Sequence, residues 1–183
     1  MKRGHWSSGL SSNKVSPTNT YLIRQANELD IHSITRIYND LVLNQPTTAQ
    51  LDAVSLEDRV NWFNAHDRSK FPVFIAEFQG SFSGYLSLSP YRPGRRALDT
   101  SAEVSYFVAR NAQGMGVGSQ LLRHALDVCP SLKIKHVLAI LLETNTPSIA
   151  LLEKFGFQRW GHLPEIAEIQ GQPVGQLYYG LAL

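Results

Sequence analysis

Cysteine is almost absent from this sequence, with one residue, Cys129, among 183. A single thiol cannot form an internal disulfide, so the chain is not one of the small secreted folds that depend on disulfides. Cys129 stands in an apolar helical stretch directly before Pro130, where a packed thiol is more common than a reactive nucleophile. We therefore expect a reducing compartment.

Long apolar runs and strong charge are also missing. Residues 1–20 are rich in Ser, Asn and Thr and contain no stretch apolar enough for a signal peptide or a membrane span. The formal net charge is +2, which leaves no extended basic surface for a nucleic-acid partner. We expect a flexible polar leader over residues 1–20, one globular domain over residues 21–183, no membrane partner and a cytoplasmic location.

Two common nucleotide-binding motifs are absent. No Gly-Lys pair occurs, although a phosphate-binding P-loop requires one. After Gly114 and Gly116, the third glycine of a dinucleotide fingerprint falls on Ser119, and no acidic residue follows at the distance of the ribose-binding carboxylate. The histidines also lack the spacing of metal ligands, so we expect no metal.

The stretch from residue 101 to residue 122 is the most informative part of the chain. It runs from an apolar strand through a glycine-rich turn into a helix. The first N–H groups of a helix are unpaired and its dipole is positive there, so a bare, glycine-rich helix start attracts anions. We expect a diphosphate at the turn around Gln113, Gly116 and Gly118. The alternative is a strand-to-helix connection that binds no ligand.

Hydrophobic periodicity and turn residues predict an α/β fold throughout the domain. Apolar residues at helical spacing predict helices over 31–43, from 56 to about 66, over 117–128 and over 148–155. Apolar runs between turn residues predict a central strand from residue 101 and further strands over 21–24, 73–78, 84–89, 136–142, 157–163 and 174–181. Thr146 is the expected N-cap of the last helix. The predicted order is β-α-α-β-β-β-α-β-α-β-β, a mixed sheet flanked by helices.

The spacing Gln113-x-x-Gly116-x-Gly118 resembles the Gln/Arg-x-x-Gly-x-Gly/Ala signature of the GNAT acyltransferases, whose turn holds the pyrophosphate of coenzyme A. A second block, residues 143–157, resembles the family's Asn-x-x-Ser/Ala…Gly-Phe/Tyr segment. Residues 99–119 are similar, more narrowly, to the phosphinothricin and methionine sulfoximine N-acetyltransferase branch. The resemblance implies a GNAT fold and an N-acetyltransferase that uses acetyl-coenzyme A and no metal.

The same resemblance implies roles for individual residues. Glu103 matches the carboxylate that the branch uses as general base, although a structural carboxylate at a strand edge is the alternative. The main-chain N–H of Phe107 or Val108 is an expected oxyanion donor. Contacts to coenzyme A are expected from the central strand, the turn and the asparagine, namely Tyr106, Phe107, Val108, Gln113, Gly114, Met115, Gly116, Val117, Gly118, Ser119 and Asn145.

A small amine is the expected acceptor. Arg92 and Arg96 precede Glu103, and an arginine fork suits the carboxylate of an amino-acid-like substrate. Arg96 is the first choice, with a solvated basic loop as the alternative. Tyr38 is expected on the opposite wall. Relatives in the branch commonly form homodimers, so we expect one here.

One position departs from the family pattern. Relatives often carry Tyr or His where this chain has Leu152, so no general acid is available there. A thiol of pKa about 8.5 leaves without full protonation, so activity is still expected. The function that follows is acetyl transfer to a primary amine by direct attack in a ternary complex. The alternatives are a protein or peptide acetyltransferase and a coenzyme A-binding module without turnover.

Overall fold

A computed structural model describes residues 20–45 and 48–183 of the chain, so the predicted leader lies outside the described residues except for Thr20. The described part contains strands β1 (Leu22–Gln25), β2 (Val73–Phe78), β3 (Ser81–Pro90), β4 (Ser101–Val108), β5 (His136–Leu142), β6 (Gln158–Ile169) and β7 (Gln172–Ala182). Its helices are α1 (Ile31–Asn44), α2 (Leu56–Ala65), α3 (Val117–Val128) and α4 (Thr146–Lys154). The order along the chain is the predicted one.

The strands form one sheet in the order β1-β2-β3-β4-β5-β7-β6. All neighbours are antiparallel except β4 and β5, which run parallel. That parallel ladder is short, because it ends at the pair Glu103 and Leu138. Both strands continue beyond this pair, to Val108 and to Leu142, and they diverge. The sheet is therefore split on the carboxyl side of Glu103.

Two apolar cores lie on opposite faces of this sheet. Helices α3 and α4 pack on one face, where Leu121, Leu122 and Leu152 are buried. Helix α1 and the buried face of α2 cover the other face with Ile34 and Phe63. Successive strand residues point to opposite faces, so β4 contributes alternately to the two cores. We call them the α3–α4 core and the α1–α2 core.

Side chains cap the starts of α2 and α4, and the cap of α4 differs from the predicted one. Ser55 caps α2, since its side chain accepts a hydrogen bond of 3.0 Å from the main-chain N–H of Asp58. The predicted N-cap of α4 was wrong by one residue. Asn145, not Thr146, accepts from the N–H of Ser148 at 3.3 Å. An asparagine caps at least as well as a threonine, and α4 therefore starts at Thr146.

The last two strands are longer than predicted because the hairpin between them is tight. Gln170 and Gly171 both have positive φ, 52° and 74°, as two-residue hairpin turns require. Strand β6 lies at the edge of the sheet and is largely exposed, so it lacks the apolar alternation that marks a half-buried strand. No helix in the described ranges is long and apolar enough to cross a membrane.

Candidate active site

The split between β4 and β5 opens into a cavity of about 860 Å³, within the range of small-molecule sites. Its walls are β4 from residue 103 to 108, β5 from residue 139 to 142, the turn before α3 and the start of α4. The cavity thus lies where two neighbouring strands stop pairing, and main-chain groups on the facing edges are available to a ligand.

Strand register determines which main-chain groups of β4 face this gap. The N–H of Ala109 donates to the carbonyl of Ser83 at 2.9 Å, on the β3 side. The carbonyl of Thr100 accepts from the N–H of His136 at 3.2 Å, on the β5 side. Because successive residues direct their main-chain groups to alternate edges, odd-numbered residues of β4 pair with β3. The residues that turn theirs toward the gap are Val104, Tyr106 and Val108.

This register corrects the expectation for the main chain of Phe107. That residue is the partner of Tyr85 in the β3–β4 ladder, so its N–H and carbonyl are directed away from the gap. Its ring still lines the cavity, stacked on the Tyr85 ring at 5.0 Å and meeting the Tyr38 ring edge-on at 5.2 Å. Phe107 therefore contributes an apolar wall, and of the two expected oxyanion donors only Val108 has its main-chain N–H directed at the gap.

The turn before α3 forms a cradle at one end of the cavity. Gly114 and Gly116 have φ of 74° and 88°, a conformation that side chains rarely adopt, and open space surrounds the position of a Cβ at each. The first bond of the helix runs from the N–H of Gln120 to the carbonyl of Gly116. No described side chain caps the helix start. Its first N–H groups are therefore directed at the cavity, as an anionic group requires.

Gln113 and Asn145 also line the cavity. The Nε2 of Gln113 donates to the Oε1 of Gln45 at 3.0 Å and lies 3.4 Å from the carbonyl of Val108. It thereby ties the turn to β4 and to the end of α1. Met115, in contrast, is 51% exposed and is the one predicted cofactor residue outside the cavity lining.

Glu103 is placed at the last paired position of β4, where the split begins, and its side chain lines the cavity. Burial raises the pKa of this carboxyl above its ordinary value, and the nearby charge of Arg92 opposes the shift. Within the described residues the carboxylate makes no hydrogen bond. An unpaired, partly buried carboxylate with a raised pKa is suited to accept a proton.

Comparison with known proteins identifies the family. The model of the acetyltransferase (GNAT) family matches residues 32–157. The chain belongs to the GNAT family. It is an acetyl-coenzyme A-dependent N-acetyltransferase.

Individual GNAT relatives agree over most of their length. YwnH of Bacillus subtilis, provisionally named a phosphinothricin acetyltransferase, is 37% identical over 82% of this chain and 91% of its own. The L-methionine sulfoximine/L-methionine sulfone acetyltransferase of Pseudomonas paraeruginosa is 30% identical over 82% of this chain and 87% of its own. A phosphinothricin acetyltransferase of Sinorhizobium meliloti, solved with acetyl-coenzyme A, superimposes with a TM-score of 0.85 at 27% identity, covering 90% and 89% of the two chains.

The arginines expected to bind the acceptor lie outside the cavity of this GNAT protein. Arg96 is exposed in a short 3-10 turn, Arg96–Leu98, and is not part of the lining. Arg92 is exposed as well, with its guanidinium over the Tyr91 ring at 5.4 Å, although its charge acts on Glu103. Tyr38 does line the cavity, as expected.

Leu152 is fully buried and lines the cavity from α4. The hydroxyl of Tyr106 lies on the same face of the sheet and is 3.4 Å from the carbonyl of Ser148, to which it donates. Burial raises the pKa of Tyr106 to about 12, and the side chain of Ser148 opposes the shift, so the phenol stays neutral. Among the described residues, no group of three or more His, Cys, Asp or Glu is placed to hold a metal ion.

Sequence reasoning missed two buried polar residues outside the cavity lining of this GNAT protein. Arg59 on α2 and Tyr85 on β3 are both buried in the α1–α2 core, behind the cavity residues Tyr38 and Phe107. A signal existed, because Arg59 precedes the core residue Phe63 by four positions and so shares its face of the helix.

Proposed function

We propose that this enzyme transfers the acetyl group of acetyl-coenzyme A to the primary amine of a small, amino-acid-like acceptor. The transfer is a direct attack within a ternary complex, with Glu103 as general base. The observation that carries the proposal is the unpaired carboxylate of Glu103 at the point where β4 and β5 separate. The names of the relatives, which describe phosphinothricin, methionine sulfoximine and methionine sulfone, support the acceptor class.

Coenzyme A would lie along the split, with its diphosphate at the turn formed by residues 113–119. Gly114 and Gly116 leave the approach to the helix start open, and the dipole of α3 favours the negative charge. The pantetheine arm would pair with the main-chain groups of Tyr106 and Val108 as an added strand does. Asn145, at the start of α4, would meet the far end of the arm.

The amine must lose a proton before it can attack, because primary amines are mostly protonated at neutral pH. Glu103 accepts that proton, directly or through a water molecule. The nitrogen lone pair then forms a bond to the thioester carbon, and the carbonyl oxygen takes the negative charge. A main-chain N–H that faces the gap, that of Val108, stabilises this oxyanion.

The intermediate collapses as the carbon–sulfur bond breaks and coenzyme A leaves as a thiolate. Leu152 supplies no proton, and none is required at that moment, because a thiol of pKa about 8.5 is a good leaving group near neutral pH. Proximity of the two bound substrates supplies much of the rate. The second proton of the attacking nitrogen passes to solvent.

Thiol release from acetyl-coenzyme A tests this function. Methionine sulfoximine, phosphinothricin, free amino acids, simple amines and short peptides form the acceptor panel. We expect turnover with the amino-acid analogues. Turnover confined to peptides would replace the proposal by a peptide acetyltransferase, and silence across the panel with coenzyme A still bound would replace it by a binding module.

We also propose that the protein is a homodimer and that it is located in the cytoplasm. The edge strand β6 exposes Trp160, Leu163 and Ile166, the last with 61% of its surface accessible. Exposed apolar residues on an edge strand favour association with a second copy. Light scattering of the purified protein measures the mass, and a monomer at micromolar concentration would contradict the dimer.

A further inference from the structure

A serine on the neighbouring strand lies beside the proposed base. Ser89 on β3 is the cross-strand partner of Glu103 on β4, and the odd-numbered residues of β4 exchange main-chain hydrogen bonds with β3. The Cα atoms of such a pair are about 5.5 Å apart, and the two side chains point to the same face of the sheet. Phe107 shares that face and packs against the α1–α2 core. The hydroxyl of Ser89 and the carboxyl of Glu103 are therefore neighbours on the α1–α2 face.

A histidine holds this serine from the other side. His66 directly follows α2, and its Nε2 lies 3.3 Å from the Oγ of Ser89. The Nδ1 of the same ring lies 3.1 Å from the main-chain carbonyl of Trp62. The Trp62 ring also meets the imidazole edge-on, with 4.6 Å between the ring centroids. These contacts fix the orientation of the imidazole toward Ser89.

The carbonyl of Trp62 determines which nitrogen of the neutral imidazole carries the proton. A carbonyl oxygen only accepts hydrogen bonds, so the proton is on Nδ1 of His66 and Nε2 keeps its lone pair. The hydroxyl of Ser89 donates to that lone pair. The Ser89 oxygen can then accept a hydrogen bond from the carboxyl of Glu103 once that group is protonated. Each donor in the series is thus directed away from the cavity.

The series leads from the cavity toward solvent. Glu103 lines the cavity, whereas Ser89 and His66 are half-buried residues outside the cavity lining. When coenzyme A and the acceptor occupy the cavity, they exclude water from the carboxyl on that side. A proton accepted by Glu103 must nevertheless leave before the carboxylate can act as a base again. The imidazole of His66 offers an exit that the bound substrates do not occupy.

We propose that Ser89 and His66 relay the proton from Glu103 to solvent. The inference rests on the proposed function, in which Glu103 is the base. Protonated Glu103 gives its proton to the oxygen of Ser89 while the hydroxyl proton of Ser89 passes to Nε2 of His66. The imidazolium then loses that proton to water, and the hydroxyl rotates back toward Nε2, so all three groups regain their starting state. Imidazole side chains suit the last step because they take up and release protons near neutral pH.

The kinetic test measures turnover of L-methionine sulfone and acetyl-coenzyme A in a dilute buffer that contains no imidazole. His66→Gln keeps a hydrogen-bonding side chain but removes the group that takes up the proton. We expect its kcat to fall about 10-fold, less than the loss of about 100-fold or more expected for the base itself. Its kcat/KM for the acceptor should stay within about twofold of the wild-type value, because the relay acts after acetyl transfer. His32→Gln is the matched control, because His32 is exposed on α1 and does not line the cavity.

Chemical rescue distinguishes a relay from a purely structural role. Added imidazole should restore the kcat of His66→Gln, after correction for its reaction with acetyl-coenzyme A alone, because a diffusible base takes the proton that the side chain no longer takes. The kcat of the wild type should not depend on the imidazole concentration. Ser89→Ala should show the same loss as His66→Gln, whereas Ser89→Thr, which keeps the hydroxyl, should retain the wild-type kcat. A loss in His66→Gln that imidazole does not restore would overturn the relay.

Glu103→Gln separates this inference from the proposed function. If Glu103→Gln keeps the wild-type activity, the base is wrong and the relay is wrong with it. If Glu103→Gln loses activity while His66→Gln keeps the wild-type kcat in dilute buffer, the base stands and only the relay is wrong. The double variant should be no slower than Glu103→Gln, because the relay carries only the proton of that carboxyl, and a further loss would overturn it.

Melting temperature and affinity for coenzyme A check the folding of the variants. Should His66→Gln fail to fold, Ser89→Ala makes the smaller change and carries the test. A wild-type kcat of Ser89→Ala in dilute buffer would overturn the relay.

Discussion

Replacing Glu103 by glutamine tests the proposed base with little disturbance of the structure. The two side chains have the same shape, and the carboxylate has no hydrogen-bond partner among the described residues that the change would leave unpaired. A general base contributes about 100- to 10,000-fold to a rate. We therefore expect kcat/KM for an amino-acid acceptor to fall by that range, equal to about 2.7 to 5.4 kcal/mol of transition-state stabilisation.

The pH profile adds a second readout to the same experiment. The activity of the wild type should fall as the pH drops through the pKa of Glu103, which burial raises above its ordinary value. Arg92→Gln removes the charge that opposes this shift, so it should move the acid limb to higher pH with the same acceptor. Arg96→Gln, a change at a second exposed arginine of the same loop, should leave the limb in place.

As the pH rises through the pKa of Glu103, the stability of the wild type should fall while its activity increases. The raised pKa means that the folded state binds the proton of Glu103 more tightly than the unfolded state does. The free energy of unfolding of the wild type should therefore fall, relative to Glu103→Gln, as pH rises from the ordinary glutamate pKa through the raised one. At neutral pH the variant should be at least as stable. In the kinetic experiment, a kcat/KM of Glu103→Gln within threefold of the wild-type value would refute the assignment of Glu103 as the general base.

Three further predictions follow from the described geometry. Gly116→Ala and Gly80→Ala both place a methyl group on a residue with positive φ, 88° and 75°. Each variant should lose about 1 to 2 kcal/mol of stability. Only Gly116→Ala should also weaken acetyl-coenzyme A binding, measured by calorimetry. Leu152→Tyr should overfill the α3–α4 core and lower the free energy of unfolding by about 1 to 3 kcal/mol. It should not raise kcat. A faster enzyme would show that the departing thiolate does need a general acid. Burial raises the pKa of Cys129 to about 11, so the native protein should not react with an aromatic disulfide reagent at pH 8. In urea, the same reagent should titrate one thiol per chain. Rapid labelling of the native protein would contradict the burial of Cys129.

The elements with strong local signals could be predicted from the sequence. Strands over 73–78 and 136–142 and the helix over 117–128 were predicted with the bounds that the structure has, because apolar periodicity and turn residues mark their ends. Strand β6 was predicted too short, since its exposed position removes the alternation of apolar and polar residues. The N-cap of α4 was misplaced because Asn145 and Thr146 are both good capping residues.

The arrangement of residues around the cavity depends on strand pairing and burial, which no local sequence pattern specifies. The glycine spacing around Gly116 predicted a turn at a helix start, and that turn does line the cavity. The main-chain direction of Phe107 follows from pairing with β3, which a sequence does not specify to one residue. Arg59 was missed because burial of a charged residue contradicts the general tendency of arginine to be exposed.

The residues proposed to bind the acceptor and the helix whose start is proposed to bind coenzyme A pack on opposite faces of one sheet. Tyr38, which is proposed to meet the acceptor, lies on α1, the helix that packs in the α1–α2 core, whereas the helix that starts at the anion cradle packs in the α3–α4 core. Sites in separate cores tolerate substitution nearly independently. A lineage can therefore drift from one amine to another while it keeps the same cosubstrate. A variant library that spares the end of α1, which Gln113 ties to the turn, would sample new acceptors without eroding coenzyme A affinity.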